Sequence, residues 1–222
     1  MMVLRRIPWV GAAALVAVVG GALWHLSPAG AVSAQTAEPD SLFAVRFLAG
    51  VRGASPVACD MVVRSLGSGW GWWGLDRAPD AVRAHQDVLR WATHPSSDPS
   101  VVAPLRAGLE DADACVRRVS ARLLGRTRHP RAVEALLAAL ASRSATTRQL
   151  AAVGLGYAED TSAVDPLLGA LRDDAASVRV AAAWALGEIE DARAVGPLTR
   201  LLRGDPDPVV RRAAALALGS MF

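Results

Sequence analysis

Residue types that usually carry chemistry are sparse and scattered in this 222-residue sequence. The four histidines, His25, His85, His94 and His129, stand far apart, and none is followed by Glu. No Gly-rich phosphate loop, metal-spaced cluster or nucleophile elbow occurs. All 24 basic residues are Arg, with no Lys and no Asn, which excludes lysine Schiff bases and a P-loop lysine. Cys59 and Cys115 are the two cysteines, too few for a disulfide-dense scaffold or a four-Cys zinc module. On these grounds we expect no catalytic, cofactor-binding or metal-binding residue, and a chain that is not an enzyme.

Chemistry being thin, the elements carry the information. The chain is 52% hydrophobic but only 5% aromatic, so its apolar mass is mostly Ala, Leu and Val, which suits close-packed helices. The first forty residues differ from the rest. Arg5 and Arg6 precede an apolar run from Ile7 to Trp24, and the next charge is Glu38. Residues 1–34 read as a secretory signal peptide with small residues at Val32-Ser33-Ala34, or as an uncleaved membrane anchor. Residues 35–40 read as a linker. Either way the remainder is expected outside the cytoplasm, in the periplasm or anchored facing it. The formal charge of +3 then shrinks to +1, because losing Arg5 and Arg6 leaves 22 Arg against 21 acidic residues. The basic balance is therefore no nucleic-acid footprint.

From residue 101 the sequence repeats itself. Val102-Ala-Pro-Leu105 recurs as Val133-Glu-Ala-Leu136, Val164-Asp-Pro-Leu167 and Val195-Gly-Pro-Leu198, always 31 residues on. Leu109, Leu140, Leu171 and Leu202 keep the same period. Leu124-Gly125, Leu155-Gly156, Leu186-Gly187 and Leu218-Gly219 follow in the second half of each unit. Four matched units near this length predict a solenoid, with boundaries near 101–131, 132–162, 163–193 and 194–222. Each unit reads as two helices. Pro104, Pro166 and Pro197 fall in the first turn of the first helix. The second opens after Asp113, Ser144 or Asp207 as cap; in the third unit Ala175 holds that place. Ala152, Ala183 and Ala215 are expected to let helices approach, and the Leu-Gly pair to end the helix in a left-handed glycine. Residues 41–100 are irregular: a degenerate helix pair over 41–66, a Gly/Trp tract over 67–74 and a helix near 79–93. They form a candidate terminal cap.

Ser177-Val-Arg-Val-Ala-Ala-Ala-Trp-Ala-Leu-Gly187, followed by Asp191-Ala-Arg-Ala-Val-Gly-Pro-Leu198, resembles the HEAT-like repeats of the phycobilisome-lyase type. The resemblance covers about 101–222. It implies an all-α fold of stacked antiparallel helix pairs, an α-solenoid, behind the N-terminal signal or anchor helix. It places Arg117, Arg148, Arg179 and Arg211 in a column that bonds acidic turn residues of neighbouring units, here Asp111, Asp113, Asp173, Asp174, Asp205 and Asp207. Ser142 and Ser144 stand at those places in the second unit, so the ladder should weaken there. The paired His-Glu ligands of iron-dependent hydroxylases built on such repeats are missing.

The same resemblance puts the second helices on the concave surface. One column there reads Arg118, Gln149, Val180, Arg212, and four residues on another reads Arg122, Val153, Trp184, Leu216. Two columns that vary while core columns stay Ala or Leu are a candidate protein-interaction face, or simply tolerated packing. Trp70, Trp72 and Trp73 are candidate interface aromatics or an apolar lid over the end of the array. Cys59 and Cys115 lie nearly two units apart in sequence, so we expect two unbridged thiols. A last helix with Ala213, Ala214, Leu216 and Ala217 on an open flank points to self-association. Charge is uneven: seven Arg against three acidic residues in 101–131, three against six in 163–193. The function expected is a non-catalytic exported scaffold binding an unknown protein partner in the bacterial envelope, without cofactor or nucleic acid. Membrane contact is expected only if residues 1–34 remain attached. The alternatives are a phycobilin-type chromophore lyase or its subunit, and a HEAT-like nucleic-acid binder.

Overall fold

The structure, a computed structural model, describes residues 39–66, 96–127 and 129–222. The signal or anchor segment, Trp70, Trp72, Trp73 and the helix anticipated over 79–93 lie outside the described residues. Regular elements among the described residues are helical throughout. The first pair is α1 (Asp40–Val51) and α2 (Pro56–Ser65). Four pairs follow: α3 (Val102–Gly108) with α4 (Ala114–Arg126), α5 (Pro130–Leu140) with α6 (Ala145–Ala158), α7 (Val164–Ala170) with α8 (Ala176–Ile189), and α9 (Val195–Gly204) with α10 (Pro208–Ser220).

Local chemistry explains where these helices begin. Asp98, Asp160 and Asp191 each accept from the backbone N–H two residues on, at 2.8, 2.8 and 2.9 Å, and start a 3₁₀ turn that runs into α3, α7 and α9. Prolines 104, 166 and 197 then sit in the first α-helical turn, where an absent N–H leaves no bond unmade. The second helices are capped by Asp113, whose carboxylate accepts from the Cys115 and Val116 amides, by Ser144 from Thr147, and by Asp207 from Val209. Helix α8 starts after Ala175 with no side-chain cap.

Leu105, Leu136, Leu167 and Leu198 are fully buried, as are Leu124, Leu155 and Leu186 on the facing helices. One hydrophobic core therefore runs through the stack, and each unit adds an increment to it.

The second helices form a continuous layer, α4 on α6, α6 on α8, α8 on α10. Here the glycines have a role other than the one expected. Gly125, Gly156, Gly187 and Gly219 lie inside their helices and do not end them. The left-handed C-caps of α6 and α8 fall to Glu159 (φ 51°) and Glu190 (φ 56°). What the glycines permit is proximity. A Cβ on Gly156 would lie 2.9 Å from the Ala185 Cα, and one on Gly187 would lie 2.8 Å from the Ala217 Cα. A Cβ on Gly125 would collide with the Gly154 carbonyl. The first three Leu-Gly pairs mark the helix crossings, where backbones approach with no side chain between them, while Gly219 on the last helix faces open space.

A second correction concerns the cysteines. Cys59 of α2 and Cys115 of α4 form a disulfide, with Cα atoms 5.5 Å apart. Sequence distance misled because α1–α2 stacks directly onto α3–α4, so 56 residues of chain span one junction. Polar contacts close the same junction. Gly53 N–H donates to Asp113 at 2.8 Å and Arg118 reaches Asp60 at 2.5 Å.

Gly187→Ala is expected to lower the unfolding free energy by about 1–3 kcal/mol through overpacking. Gly169→Ala, whose added methyl meets nothing within 4 Å, should be neutral or slightly stabilising; urea titration of both variants checks the contrast. Peptide mapping without reductant should recover a Cys59–Cys115 cross-linked pair. Reduction should cost about 2–4 kcal/mol of stability, read from the same titration.

Candidate functional site

The four arginines that recur in the second helices hold their own turns, and Arg148 and Arg179 also reach the next unit. Through Nη1 each donates to two carbonyls of its own inter-helix turn: Arg117 to Asp111 and Ala112, Arg148 to Ser142 and Arg143, Arg179 to Asp173 and Asp174, Arg211 to Asp205 and Pro206. The other edge of the fork reaches into the following unit. Arg148 Nε and Nη2 bond the two oxygens of Asp173 at 2.7 and 2.9 Å, and Arg179 bonds Asp205 at 2.8 and 3.0 Å. Those carboxylates also accept from the amides of Ala175 and Asp207, which fixes the turn. The ladder's acids are thus Asp111, Asp173 and Asp205. Asp113 and Asp207 serve as helix caps instead.

Arg52, which has no counterpart in the repeat column, supplies the first rung, clasping Asp111 at 2.9 and 2.7 Å. Its place at the end of an irregular helix hid it from a search by period. The rung between the first two regular units is incomplete. Ser142 stands where the acid would be, and Arg117 makes no ion pair among the described residues. Hydrogen bonds from Arg52, Arg148 and Arg179 hold Asp111, Asp173 and Asp205 below the usual carboxylate range.

The variable columns of the second helices divide in two. At one end Arg118 is engaged with Asp60 and belongs to the junction with α2. At the other, Val180, Trp184, Arg212 and Leu216 line one groove between α8 and α10, of about 310 Å³, with Glu188 at its side. Leu216 is 70% exposed. Gln149 and Val153 are half-buried on α6 between these ends.

Arg122 is the unusual member. It is only 9% exposed, and its guanidinium lies 3.7 Å from the centre of the Tyr157 ring. Tyr157 in turn meets Trp184 edge to face, centroids 4.9 Å apart. Burial, then the like charge of Arg126, pulls Arg122 down to about 10, so it is still a cation at neutral pH. Glu188 acts in the opposite sense without forming an ion pair. Its own carboxyl is pushed up by desolvation and by Glu159 and Glu190. Tyr157 and Glu188 occupy a third column, four residues beyond Arg122, Val153 and Trp184. Extending the helical spacing by one step would have found them. Among the described residues no three His, Cys, Asp or Glu side chains converge as metal ligands.

Comparison with known families matches residues 133–219 to HEAT repeats and residues 116–142 to the PBS lyase HEAT-like repeat. The array is built of HEAT-like repeats. No curated protein matches the sequence. Among solved structures, human deoxyhypusine hydroxylase in complex with glycerol is similar at 23% identity and a TM-score of 0.47, over 80% of this chain and 66% of that one. The complex of CpcE and CpcF of phycocyanin lyase from Nostoc sp. PCC7120 is similar at 22% identity and a TM-score of 0.46, over 73% and 64%. An engineered protein follows at 20% identity and 0.40, over 80% and 96%. The chain spans just under two thirds of the first two. Both carry the names of enzymes, which corrects the expectation that this chain is not one: scattered histidines and a repeat fold are no ground for excluding catalysis.

The lowered carboxyls set an acid limit. A carboxylate whose folded-state pKa is depressed stabilises the fold above its unfolded value, near 3.9, and loses that contribution as pH falls through the folded value. Urea midpoints are therefore expected to hold near neutrality and drop below about pH 4. Asp205→Asn should lower the midpoint at pH 7 and flatten the acid dependence.

Proposed function

We propose that this HEAT-repeat chain holds a partner protein on the face of its second helices, outside the cytoplasm. The observation that carries the reading is the groove between α8 and α10. Val180, Trp184, Arg212 and Leu216 come from the two columns that vary along the repeat, and they line a single concavity. Core columns one step away remain Leu or Ala and buried. Aromatic and Arg side chains open to solvent around one apolar hollow are the composition of interface hot spots. Repeat solenoids present extended binding surfaces of this kind.

Two features support the location. The sequence of residues 1–34 has the parts of an export signal or anchor. The Cys59–Cys115 bridge is of a type that persists in oxidising compartments and is rare in reducing ones. No helix among the described residues is long and apolar enough to cross a membrane. The second reading, a chromophore lyase or lyase subunit, is favoured by the match of residues 116–142 to the PBS lyase HEAT-like repeat. Adduct formation in a bilin-transfer assay would establish it over the first.

The test is affinity purification of the chain from an envelope fraction, with mass-spectrometric reading of the mature N-terminus. Leu216→Asp is expected to lose the captured protein while changing stability by less than about 0.5 kcal/mol, as exposed positions do. Capture unchanged in Leu216→Asp and Trp184→Ala would rule this face out.

A further inference from the structure

Within that second-helix face, and resting on it as the binding surface, we infer that Arg122 is the seat for a carboxylate of the partner polypeptide, one flanked by apolar side chains. The argument begins with an imbalance. A guanidinium nine-tenths removed from water ordinarily keeps its hydrogen bonds, since burying unpaired donors costs more than the net worth of a made bond. The recurrent arginines obey this, with four acceptor atoms each at Arg148 and Arg179. Arg122 has none among the described residues, and its Nε is fully buried without a partner. Stacking on Tyr157 satisfies the face of the guanidinium but not its edge, where the N–H groups lie.

What would complete the edge at the two terminal nitrogens, which unlike Nε are not fully buried, is a planar, two-oxygen acceptor, which matches the fork geometry of Arg. The nearby acids do not provide it. Glu188 influences Arg122 from beyond ion-pair distance, and its surroundings include Glu159 and Glu190, while Arg126 adds positive charge on the other side. The apolar flanks follow from continuity. Arg122 touches Tyr157, Tyr157 touches Trp184, and Trp184 is a wall of the groove that also exposes Leu216. A segment with an acidic residue between aliphatic ones would set its carboxylate against Arg122 and an aliphatic side chain in that groove. The apolar lining argues for a polypeptide over a free inorganic anion.

The assignment is tested by NMR on the full chain with three tripeptide probes. They are acetyl-Leu-Asp-Leu-amide, its Asn counterpart, and acetyl-Leu-Asn-Leu with a free C-terminal carboxylate. Titrations follow the Arg122 Nε–H and Trp184 indole resonances. The Asp probe is expected to bind at least about tenfold more tightly than the Asn amide, the value of a charge-assisted bond pair. The free-acid probe separates a C-terminal from a side-chain carboxylate. Arg122→Gln should abolish the preference and melt no lower than the parent, because it removes a buried unbonded charge. Arg122→Lys, which keeps the charge but loses the fork, should retain a reduced preference and serves if the Gln variant does not fold. Equal binding of Asp and Asn probes, or a preference that survives in Arg122→Gln, overturns the assignment. A lower melting temperature in Arg122→Gln with no carboxylate preference in the parent would make Arg122 a packing residue. Partner capture that still depends on Leu216 would in that case leave the groove as the binding surface and remove only the carboxylate seat.

Discussion

Everything in this array depends on how closely one second helix can lie on the next. Gly125, Gly156 and Gly187 bring backbone against backbone at three successive junctions, and a methyl group at any of them would push the helices apart. Spacing at these crossings sets the spacing of the units. That in turn decides whether an Arg in one turn can reach an Asp in the next, and which side chains share a groove. The leucine core supplies the free energy of stacking, but leucines alone would tolerate a range of separations. The glycines remove that range.

The arginine ladder converts the fixed spacing into a fixed register. Each guanidinium is held by the carbonyls of its own turn before it reaches forward, so little side-chain freedom remains to be lost when the next carboxylate binds. Arg148–Asp173 and Arg179–Asp205 are rungs of this kind, and Arg52–Asp111 extends the series to the irregular pair. The junction between the first two regular units has Ser142 in the acid's place and relies on packing and the close Gly125–Gly154 contact instead. One unit further toward the N-terminus the opposite holds: an ion-pair rung, the Arg118–Asp60 contact and a disulfide all tie α1–α2 to the array. The irregular pair is thus the most heavily cross-linked junction, as suits a unit whose sequence has drifted from the repeat.

Against this background Arg122 is the exception that has meaning. The regular arginines here each keep at least two acceptors, whereas Arg122 is buried, charged and without a hydrogen bond among the described residues. It sits where the variable columns meet the Tyr157–Trp184 pair. Departures from local consistency gather at sites where function, and not folding, selects the residue.

The order of residues alone specified the period, the helix pairs and the caps, and its family resemblance marked the arginine column of which Arg148 and Arg179 form rungs. Each of these is written in contacts a few residues long, or in a spacing repeated often enough to read. It pointed to the columns around Trp184 and Leu216 for the same reason, since side chains four apart share a helix face. It misassigned the Leu-Gly pairs, because a glycine near a helix end and a glycine at a helix crossing look alike until the neighbouring helix is present. It missed the Cys59–Cys115 bridge and the Arg52 rung, because both depend on which unit stacks on the irregular pair, and chain separation does not report that distance. That Arg122, one variable-column residue among eight, is enclosed on an aromatic ring with its donors unmet follows from helix packing alone. Burial is a property of what surrounds a residue, and those surroundings come from three different helices.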